Sequence, residues 1–453
     1  MPSQGTIGDR VRGLRLSRRM SQAQLAGPDL SDSYVSLIES GKRTPTPVVA
    51  RLLAERLGCT TEFLLRGIEP RQRIDTELGL RHAELELLHG SPSAAAERFG
   101  EIVKAVGEEN VMLAAHARLG RARALEAEGR IGPAVEAFER LRREAAAHPE
   151  RLADLPLTVA LSRCYQVAGD TRRARDLAAQ AFSQVDRLVL TQGEIAVDLA
   201  AALLQTGAAQ EPGSPNTAYI RTVLAVNGVP AVVDRTAEIH ALWQASLTAA
   251  GDEDSALAVH LADEAIVTGR PARMACRLAF IAMEWASVAV SLGQESLDEA
   301  VDLATSASRV FAAFPEHAQE HARSLVALAR VHLGVGDLDG AADRARAALA
   351  ALSGQGSVIA ATAQLVLTQV EFARGQEGVP EPLTAAGELL LSAAGSAPSS
   401  PDREVARVWR DLGDLYGRVG AGEEQAAAYR RALEAAGVRD AMVGVTVDSA
   451  LVR

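Results

Sequence analysis

The stretch that decides the N-terminal fold is residues 21–45, which read SQAQLAGPDLSDSYVSLIESGKRTP. Ser21 and Ser31 each precede a run with helical spacing of apolar residues, and serine is a favoured N-cap because its hydroxyl accepts a hydrogen bond from a free backbone N–H. A glycine–proline pair interrupts the first run, and a glycine follows the second. The stretch therefore predicts two short helices, residues 22–26 and 31–39, joined by a tight turn.

Cap and breaker residues on both sides predict three further helical segments, residues 7–19, 47–57 and 61–65. Thr6 can cap the first of them, and Pro47 can open the second. Charge separates this region from the rest of the chain, because the first 73 residues carry 12 Lys+Arg and 7 Asp+Glu, whereas the remainder carries 35 and 51. A small basic head therefore precedes a large acidic body.

The order of residues in the head resembles the Cro/repressor-type (XRE-family) helix-turn-helix domain, and the resemblance rests on residues 21–26 and 34–45. It implies that the 31–39 helix enters the major groove of DNA while the 22–26 helix crosses the backbone. The DNA-contacting residues that the resemblance implies are Gln22 on a phosphate, Ser31, Asp32, Ser33 and Ser36 on base edges, and Lys42 and Arg43 on the backbone.

Two structural features of the head also follow from comparison with that family. Arg15 and Glu39 occupy the places that form a partly buried ion pair in the family, which implies a structural role for both. The turn at residues 27–30 is one residue shorter than is usual there.

The residue types set limits on how this head reads DNA. Free N–H groups at the helix starts and the charges of Lys42 and Arg43 suit phosphates, and such contacts position a duplex without reading its sequence. Residues 31–39 contain no Arg, Lys, Asn or Gln, the side chains best suited to bidentate contacts with purines. Base readout is therefore expected from the serines, from Asp32 accepting from cytosine, and from indirect readout.

Beyond the head the chain repeats itself with a glycine every 38 to 45 residues. The residue seven positions before the glycine is small in eight of nine repeats, the exception being Gln244. Small residues let two antiparallel helices pack closely, and the glycine supplies the turn between them. The glycines are Gly90, Gly129, Gly169, Gly207, Gly251, Gly293, Gly336, Gly375 and Gly420, and the small residues are Ala83, Ala122, Ser162, Ala200, Ala286, Ala329, Thr368 and Gly413.

This pattern resembles the tetratricopeptide repeat, most clearly in the last unit, where Trp409, Leu412, Gly413 and Tyr416 precede Tyr429 and Ala432. The resemblance implies an all-α chain whose body stacks about nine helix pairs into a superhelix, each pair contacting only its neighbours. We expect residues 1–68 to form the helix-turn-helix domain, 69–75 a linker, 76–437 the repeat domain for ligand sensing and dimerisation, and 438–453 a C-terminal tail.

In such a stack the first helix of each pair lines a concave surface whose usual role is binding. Helical phase assigns five polar residues to that lining, Arg123, Arg163, Gln166, Arg330 and Gln369. Arginines suit an anionic group, and an apolar floor between them would suit a peptide or an acyl-bearing molecule. The alternative is that these arginines are solvated or paired with nearby glutamates.

Catalytic and metal signals are weak. Residues 317–321 match the letters of an HxxEH metallopeptidase helix, but no third ligand follows, so we expect no metal site and no cofactor. The three cysteines are far apart and lack CxxC spacing, which argues against disulfides and zinc. Without a nucleophile or phosphate-loop motif we expect no enzyme. No signal peptide or membrane span is apparent, and we expect a cytoplasmic protein.

A helix-turn-helix head on a repeat body resembles the RRNPP class of peptide-responsive, quorum-sensing regulators, and also repeat-containing regulators of antibiotic production and development in actinobacteria. The resemblance implies a one-component transcription factor in which a homodimer carries two heads on double-stranded DNA and a ligand in the repeats controls binding. RRNPP receptors usually clamp a peptide with several asparagines, and this chain has only three, so a peptide and a small molecule both remain open. The alternative is an interaction scaffold that sequesters a partner protein.

Overall fold

In the computed structural model of the chain, the regular structure of the described residues is helical, with 22 α-helices and one short 3-10 turn. The all-α prediction, with a helix-turn-helix head followed by helical repeats, is confirmed. The structure describes residues 6–66, 70–106, 111–207, 214–292, 297–352, 357–375, 381–393 and 403–437.

The head consists of α1 (Ile7–Ser17), α2 (Gln22–Ala26), α3 (Asp32–Glu39), α4 (Pro47–Arg56) and α5 (Thr61–Arg66), and every end lies within two residues of its predicted position. The predicted N-caps form, because the hydroxyls of Thr6, Ser21 and Ser31 each accept a backbone N–H of the following helix. Burial of aliphatic side chains at about 1.5–3 kcal/mol each stabilises the head. Its fully buried core is Val11, Leu25, Val35, Ile38, Leu53, Leu57 and Leu64.

The body contains seventeen helices among its described residues. They are α6 (Pro70–His89), α7 (Pro92–Ala105), α8 (Val111–Ala127), α9 (Ile131–Ala147), α10 (Asp154–Val167), α11 (Thr171–Leu188), α12 (Gly193–Gln205), α13 (Pro215–Asn227), α14 (Thr236–Gly251), α15 (Ser255–Leu292), α16 (Leu297–Ala312), α17 (Ala318–Val335), α18 (Leu338–Ala351), α19 (Val358–Ala373), α20 (Glu381–Ala393), α21 (Arg403–Arg418) and α22 (Gly422–Ala435).

These helices make up the nine predicted pairs over the described part of the body, because the long helix α15 belongs to two of them. Its first part is the second helix of the fifth pair, and its last part is the first helix of the sixth. Six of the predicted turn glycines adopt φ between +69° and +89°, a conformation that costs other residues about 1–2 kcal/mol. Those six are Gly129, Gly169, Gly207, Gly336, Gly375 and Gly420, while Gly293 lies outside the described residues.

In the fifth pair the structure corrects the predicted register by two residues. Gly251 ends α14 without a positive φ, and Glu253 instead takes the left-handed conformation, with φ at 61°. Seven residues before Glu253 lies Ser246, which is fully buried, whereas the predicted position, Gln244, is exposed. Ser246 donates to the carbonyl of Ala258 at 2.6 Å, just as Ser162 of the third pair donates to the carbonyl twelve residues on. The exception in the sequence pattern therefore disappears.

The chain divides into two compact units, the first formed by Met1–Leu157 and Arg235–Gly269 and the second by Thr158–Asp234 and Arg270–Arg453. In the first unit the fifth pair packs against α6, since Leu85 of α6 shares a buried cluster with Trp243 of α14. The expectation that each pair contacts only its neighbours in sequence is therefore wrong for this pair.

A buried hydrogen bond supports the same packing. His82 of α6 lies 2.9 Å from the hydroxyl of Ser246, measured from its Nε2 atom. Because that hydroxyl already donates its only hydrogen to Ala258, the imidazole must be the donor. Burial lowers the pKa of His82 and so favours the neutral ring, in which the proton is then carried on Nε2.

The second unit is built from the same kind of helix contacts. Small residues of α15 and α16 pack on α17, and a larger core of leucines and Trp409 joins α19, α20, α21 and α22. The predicted linker, residues 69–75, is helical from Pro70 onwards. The predicted tail, residues 438–453, lies outside the described residues. None of the described helices combines the length and apolar character needed to cross a membrane.

Replacing Ser246 by leucine should lower the free energy of unfolding of the first unit by about 1–3 kcal/mol, because a larger side chain overpacks the α14–α15 contact. The neighbouring change Gln244→Leu is the matched control and should have almost no effect, since Gln244 is exposed. Hydrogen exchange of peptides from α6 and α14 measures both. A larger effect at Gln244 than at Ser246 would restore the original register.

Candidate nucleic-acid interface and ligand site

A buried ion pair holds the first three helices of the head together. The guanidinium of Arg15 on α1 donates to both carboxylate oxygens of Glu39 on α3, at 2.6 and 2.9 Å, and also to the backbone carbonyl of Met20. Gln22 at the start of α2 donates to the same carboxylate at 2.9 Å. Burial raises the pKa of Glu39, but the hydrogen bonds from Arg15 and Gln22 outweigh it and the pKa is lowered. The carboxylate therefore stays ionised and fixes three helices at one point.

The short turn between α2 and α3 is stabilised from α4. Arg56 donates to the backbone carbonyls of Leu25 and Ala26 and forms an ion pair with Asp29. Gly27 adopts φ of +53°, and a methyl group on it would lie 2.7 Å from the guanidinium carbon of Arg56. An arginine side chain from α4 therefore satisfies the carbonyls at the end of α2 and, through Asp29, fixes this turn.

Helix α3 presents one face to the protein and another to solvent. Val35, Ile38 and Glu39 are buried, whereas the other face carries the predicted base-reading residues Asp32, Ser33 and Ser36, all exposed, together with the cap Ser31. Ser31 accepts from the backbone N–H of Tyr34 at 3.1 Å and from the Ser33 hydroxyl at 3.3 Å. This face can therefore offer hydroxyls and one carboxylate to a ligand.

The predicted phosphate-contacting residues lie beside that face. Lys42 and Arg43 are both exposed just after α3. The guanidinium carbon of Arg43 lies 4.9 Å from the ring centroid of Tyr34, which orients the charge by a cation–π contact. Gln22 differs from them because one hydrogen of its amide NH2 group is already donated to Glu39, so a phosphate contact by Gln22 would use the second hydrogen or require this bond to open.

Three residues of this region, Tyr34, Leu37 and Arg56, were not named by the prediction from sequence. For Tyr34 the sequence signal is its position nine residues before Arg43, and for Leu37 it is its position between Ser33 and Ser40 on one helical face. Arg56 carried no such signal, since its partners lie about 30 residues earlier in the chain.

The five predicted ligand residues are not brought together as one set. Arg123 is exposed on α8 in the first unit, and the other four lie in the second unit. On α10, Arg163 lies 4.0 Å from Asp198 of α12, and Gln166 donates to the carbonyl of Gln205 at 2.9 Å. These two residues therefore bind a neighbouring helix.

Arg330 on α17 is in a different environment. It has no hydrogen bond or ion pair with the residues that the structure describes, although it is only partly exposed. Burial lowers its pKa, and the nearby carboxylates of Asp411, Glu404 and Glu284 act in the opposite direction. Gln369 is partly buried on the adjacent helix α19.

Glu284 on α15 shares these properties. Burial raises its pKa, its charge interacts with those of Arg323 and Arg330, and it has no direct partner among the described residues. Burial disfavours the charged form of both groups, and a third group that gave each of them a partner would offset that cost. The surroundings of Arg330 and Glu284 are therefore the second candidate site.

The HxxEH motif does not assemble a metal site within the described ranges. His317 Nδ1 lies 3.7 Å from a carboxylate oxygen of Glu320. In that part of the chain, no group of three or more His, Cys, Asp or Glu side chains is arranged to hold a metal ion.

Residues 11–64 match the family model HTH_3, described as helix-turn-helix, and no curated protein matches the chain. A solved structure of a Rap protein complexed with Competence and Sporulation Factor is similar at 13% identity, with 96% of this chain and 99% of that chain covered and a TM-score of 0.46.

Two further solved structures show weaker similarity. PlcR of Bacillus thuringiensis in complex with the peptide PapR7 and DNA is similar at 14% identity, with 70% of this chain and 98% of that chain covered and a TM-score of 0.34. The APC/C hetero-tetramer Cut9-Hcn1 is similar at 14% identity, with 95% of this chain and 87% of that chain covered and a TM-score of 0.26. We draw no functional conclusion from similarity at this level.

Replacing Arg15 by methionine should destabilise the head by about 3–5 kcal/mol, because Glu39 is left buried without its charge partner. The double variant Arg15→Met with Glu39→Met should recover most of that loss. Hydrogen exchange of peptides covering α1 to α3 in the full chain measures both, with Arg12→Met, an exposed neighbour, as control.

Acid should weaken the same region in the unmodified protein. The pKa of Glu39 is lower in the folded state than in the unfolded state. The stabilisation that ionised Glu39 gives is therefore complete above its unfolded pKa of about 4.3, and it is lost as the pH falls through its folded pKa. If α1 to α3 were as strongly protected from hydrogen exchange in Arg15→Met as in the unmodified protein, the ion pair would not stabilise these helices.

Proposed function

We propose that the chain is a sequence-specific DNA-binding transcriptional regulator, in which the head (residues 1–68) binds DNA and the repeat domain (76–437) binds a signal and dimerises. The observation that carries the proposal is the exposed face of α3. It has the helix cap and reading residues predicted for a helix-turn-helix domain, and Arg15 and Glu39 hold it rigidly. Rigid presentation matters because major-groove contacts require side chains in fixed positions.

Electrostatics support DNA as the partner of the head. Lys42 and Arg43 are exposed on one side of α3, and the head carries a net positive charge while the body is acidic. A duplex would therefore be attracted to the head and repelled by the body. The attraction would hold the duplex where α3 can enter its major groove.

A single head is too small for tight binding, because it neutralises few phosphates and single modules of this size bury only about 600–1,000 Å². We propose that a homodimer brings two heads to an imperfect inverted repeat. Such a protein acts in the cytoplasm and needs no catalytic residue. If the purified protein were monomeric both in solution and on its selected DNA, control of DNA binding by a dimer would be excluded.

The signal is proposed to bind near Arg330. An anionic group of a peptide or small molecule would supply the partner that the arginine lacks among the described residues, and Glu284 would accept a donor of the same molecule. Arg163 and Gln166 are weaker candidates because neighbouring residues occupy them. Ligand binding would then alter how the dimer presents its two heads.

Removing both phosphate-contacting charges tests the DNA-binding proposal. The variant Lys42→Ala with Arg43→Ala should bind selected duplexes roughly tenfold or more weakly, and the salt dependence of affinity should fall by about one unit for each lost phosphate contact. The control Lys104→Ala with Arg140→Ala removes the same charge from exposed positions outside the head and should leave both values unchanged. Fluorescence anisotropy over a salt series measures them.

Two results would count against DNA binding as the function. The first is an unchanged salt slope in the head variant. The second is a genome-wide pull-down without sharp promoter peaks, which would favour the alternative of a scaffold that sequesters a partner protein.

The ligand proposal predicts that Arg330→Ala loses most of the signal response of a promoter reporter while the purified variant keeps its affinity for DNA without ligand. The desolvated position of Arg330 is the reason, since a ligand carboxylate or phosphate would lose its main cationic partner. Arg346→Ala is the control, because that exposed arginine of α18 pairs with Asp343 on its own helix. An undiminished response in Arg330→Ala would exclude this site.

A further inference from the structure

The base-reading face of α3 contains an apolar side chain that the sequence prediction did not use. Leu37 is 38% exposed, although its sequence neighbours Ile38 and Glu39 are buried. It lies four residues after Ser33 and one after Ser36, so these three side chains occupy the same side of the helix. Leu37 is thus part of the surface that faces a duplex in the proposed function.

The backbone around Leu37 is firmly placed. Its carbonyl oxygen accepts from the backbone N–H of Arg43 at 3.1 Å and from the Ser40 hydroxyl at 3.2 Å. The residue therefore lies between the start of α3, which carries Asp32 and Ser33, and the loop with the charges proposed to contact phosphates. An exposed leucine by itself is common on protein surfaces. This one is distinguished by its place inside the reading face.

The neighbours of Leu37 on that face are small. Ser33, Ser36 and Ser40 are exposed and short, and Tyr34 is half-buried, so Leu37 is the longest apolar side chain among the exposed residues of α3. The face contains no cation and no amide that could bond a purine edge, and its one charge is the carboxylate of Asp32. Beyond contacts made by the hydroxyls and by this carboxylate, what the face can recognise is therefore an apolar group.

The major groove contains one such group. The C5 methyl of thymine projects into the groove and distinguishes thymine from the other three bases, and apolar side chains recognise it by direct contact. The short serines beside Leu37 leave space for a base pair to approach the helix.

We infer that Leu37 is a specificity-determining residue, and that it packs against the C5 methyl group of a thymine in each half-site. The inference rests on the proposed function, because it requires α3 to lie in the major groove. It adds the identity of one base feature that the head selects, in a reading helix that lacks the usual purine-binding side chains.

The test pairs a change in the protein with a change in the DNA. Duplexes selected by the unmodified full-length protein are resynthesised with deoxyuridine in place of thymidine, one position at a time, which removes the methyl and leaves base pairing intact. At one position in each half-site, the unmodified protein should bind about fourfold more weakly for each methyl group removed. Burial of one methyl group is worth about 0.8 kcal/mol, which corresponds to that fold-change.

Leu37→Ala should bind the thymidine duplex about fourfold more weakly per half-site and should be insensitive to deoxyuridine at that position. Leu65→Ala is the matched control, since Leu65 is also a leucine of the head with 38% exposure but lies on α5. That variant should keep the full sensitivity to deoxyuridine. Circular dichroism establishes that both variants are folded.

Three results would overturn the inference. Equal affinity of the unmodified protein for thymidine and deoxyuridine duplexes at every position excludes methyl recognition. Undiminished sensitivity in Leu37→Ala assigns the methyl contact to another residue. In both cases sequence-specific binding persists and the proposed function stands, whereas failure to select any DNA sequence overturns both together.

Discussion

The functional surface of the head depends on the buried ion pair between Arg15 and Glu39. The pair joins α1 to α3, and the Gln22 bond to the same carboxylate adds α2, so the three helices meet at one charge. A buried carboxylate is costly unless its hydrogen-bonding capacity is satisfied, which makes any displacement of α3 expensive. This constraint holds the exposed face of the helix in a fixed orientation. It also occupies Gln22, the residue whose family role would have been outside, on a phosphate.

In the body a steric constraint has the corresponding role. Where the two helices of a pair cross, the side chain is small, and in seven of the eight pairs whose turn is described a residue in the left-handed conformation follows seven positions later. The fifth pair shows that this turn does not require glycine. Glu253 adopts the left-handed conformation there, and Ser246 takes the small position. Serine at this position also donates to a carbonyl of the second helix, which links the two helices by a polar contact within the apolar interface.

The two candidate sites differ in how they hold charge. On the head the cations are exposed and the reading face is almost neutral, an arrangement that separates attraction to DNA from discrimination between sequences. In the second unit Arg330 and Glu284 are desolvated without a direct partner among the described residues. Burial disfavours the charged form of each group, so the two add nothing to stability as an ion pair.

The sequence by itself determined the all-α class, the five helices of the head with their caps, and the repeat of helix pairs. These features depend on local rules, namely serine caps, glycine turns and the period of small residues. Only the tertiary structure decided the contacts between distant parts of the chain. Arg56 closes the turn at Ala26, and the fifth pair packs on α6 through Trp243. Arg163 lies beside Asp198 whereas Arg330 has no direct partner among the described residues, although both carried the same sequence signal. Helical periodicity assigns a side chain to a face, but which element covers that face depends on packing between segments far apart in sequence, and no local pattern encodes it.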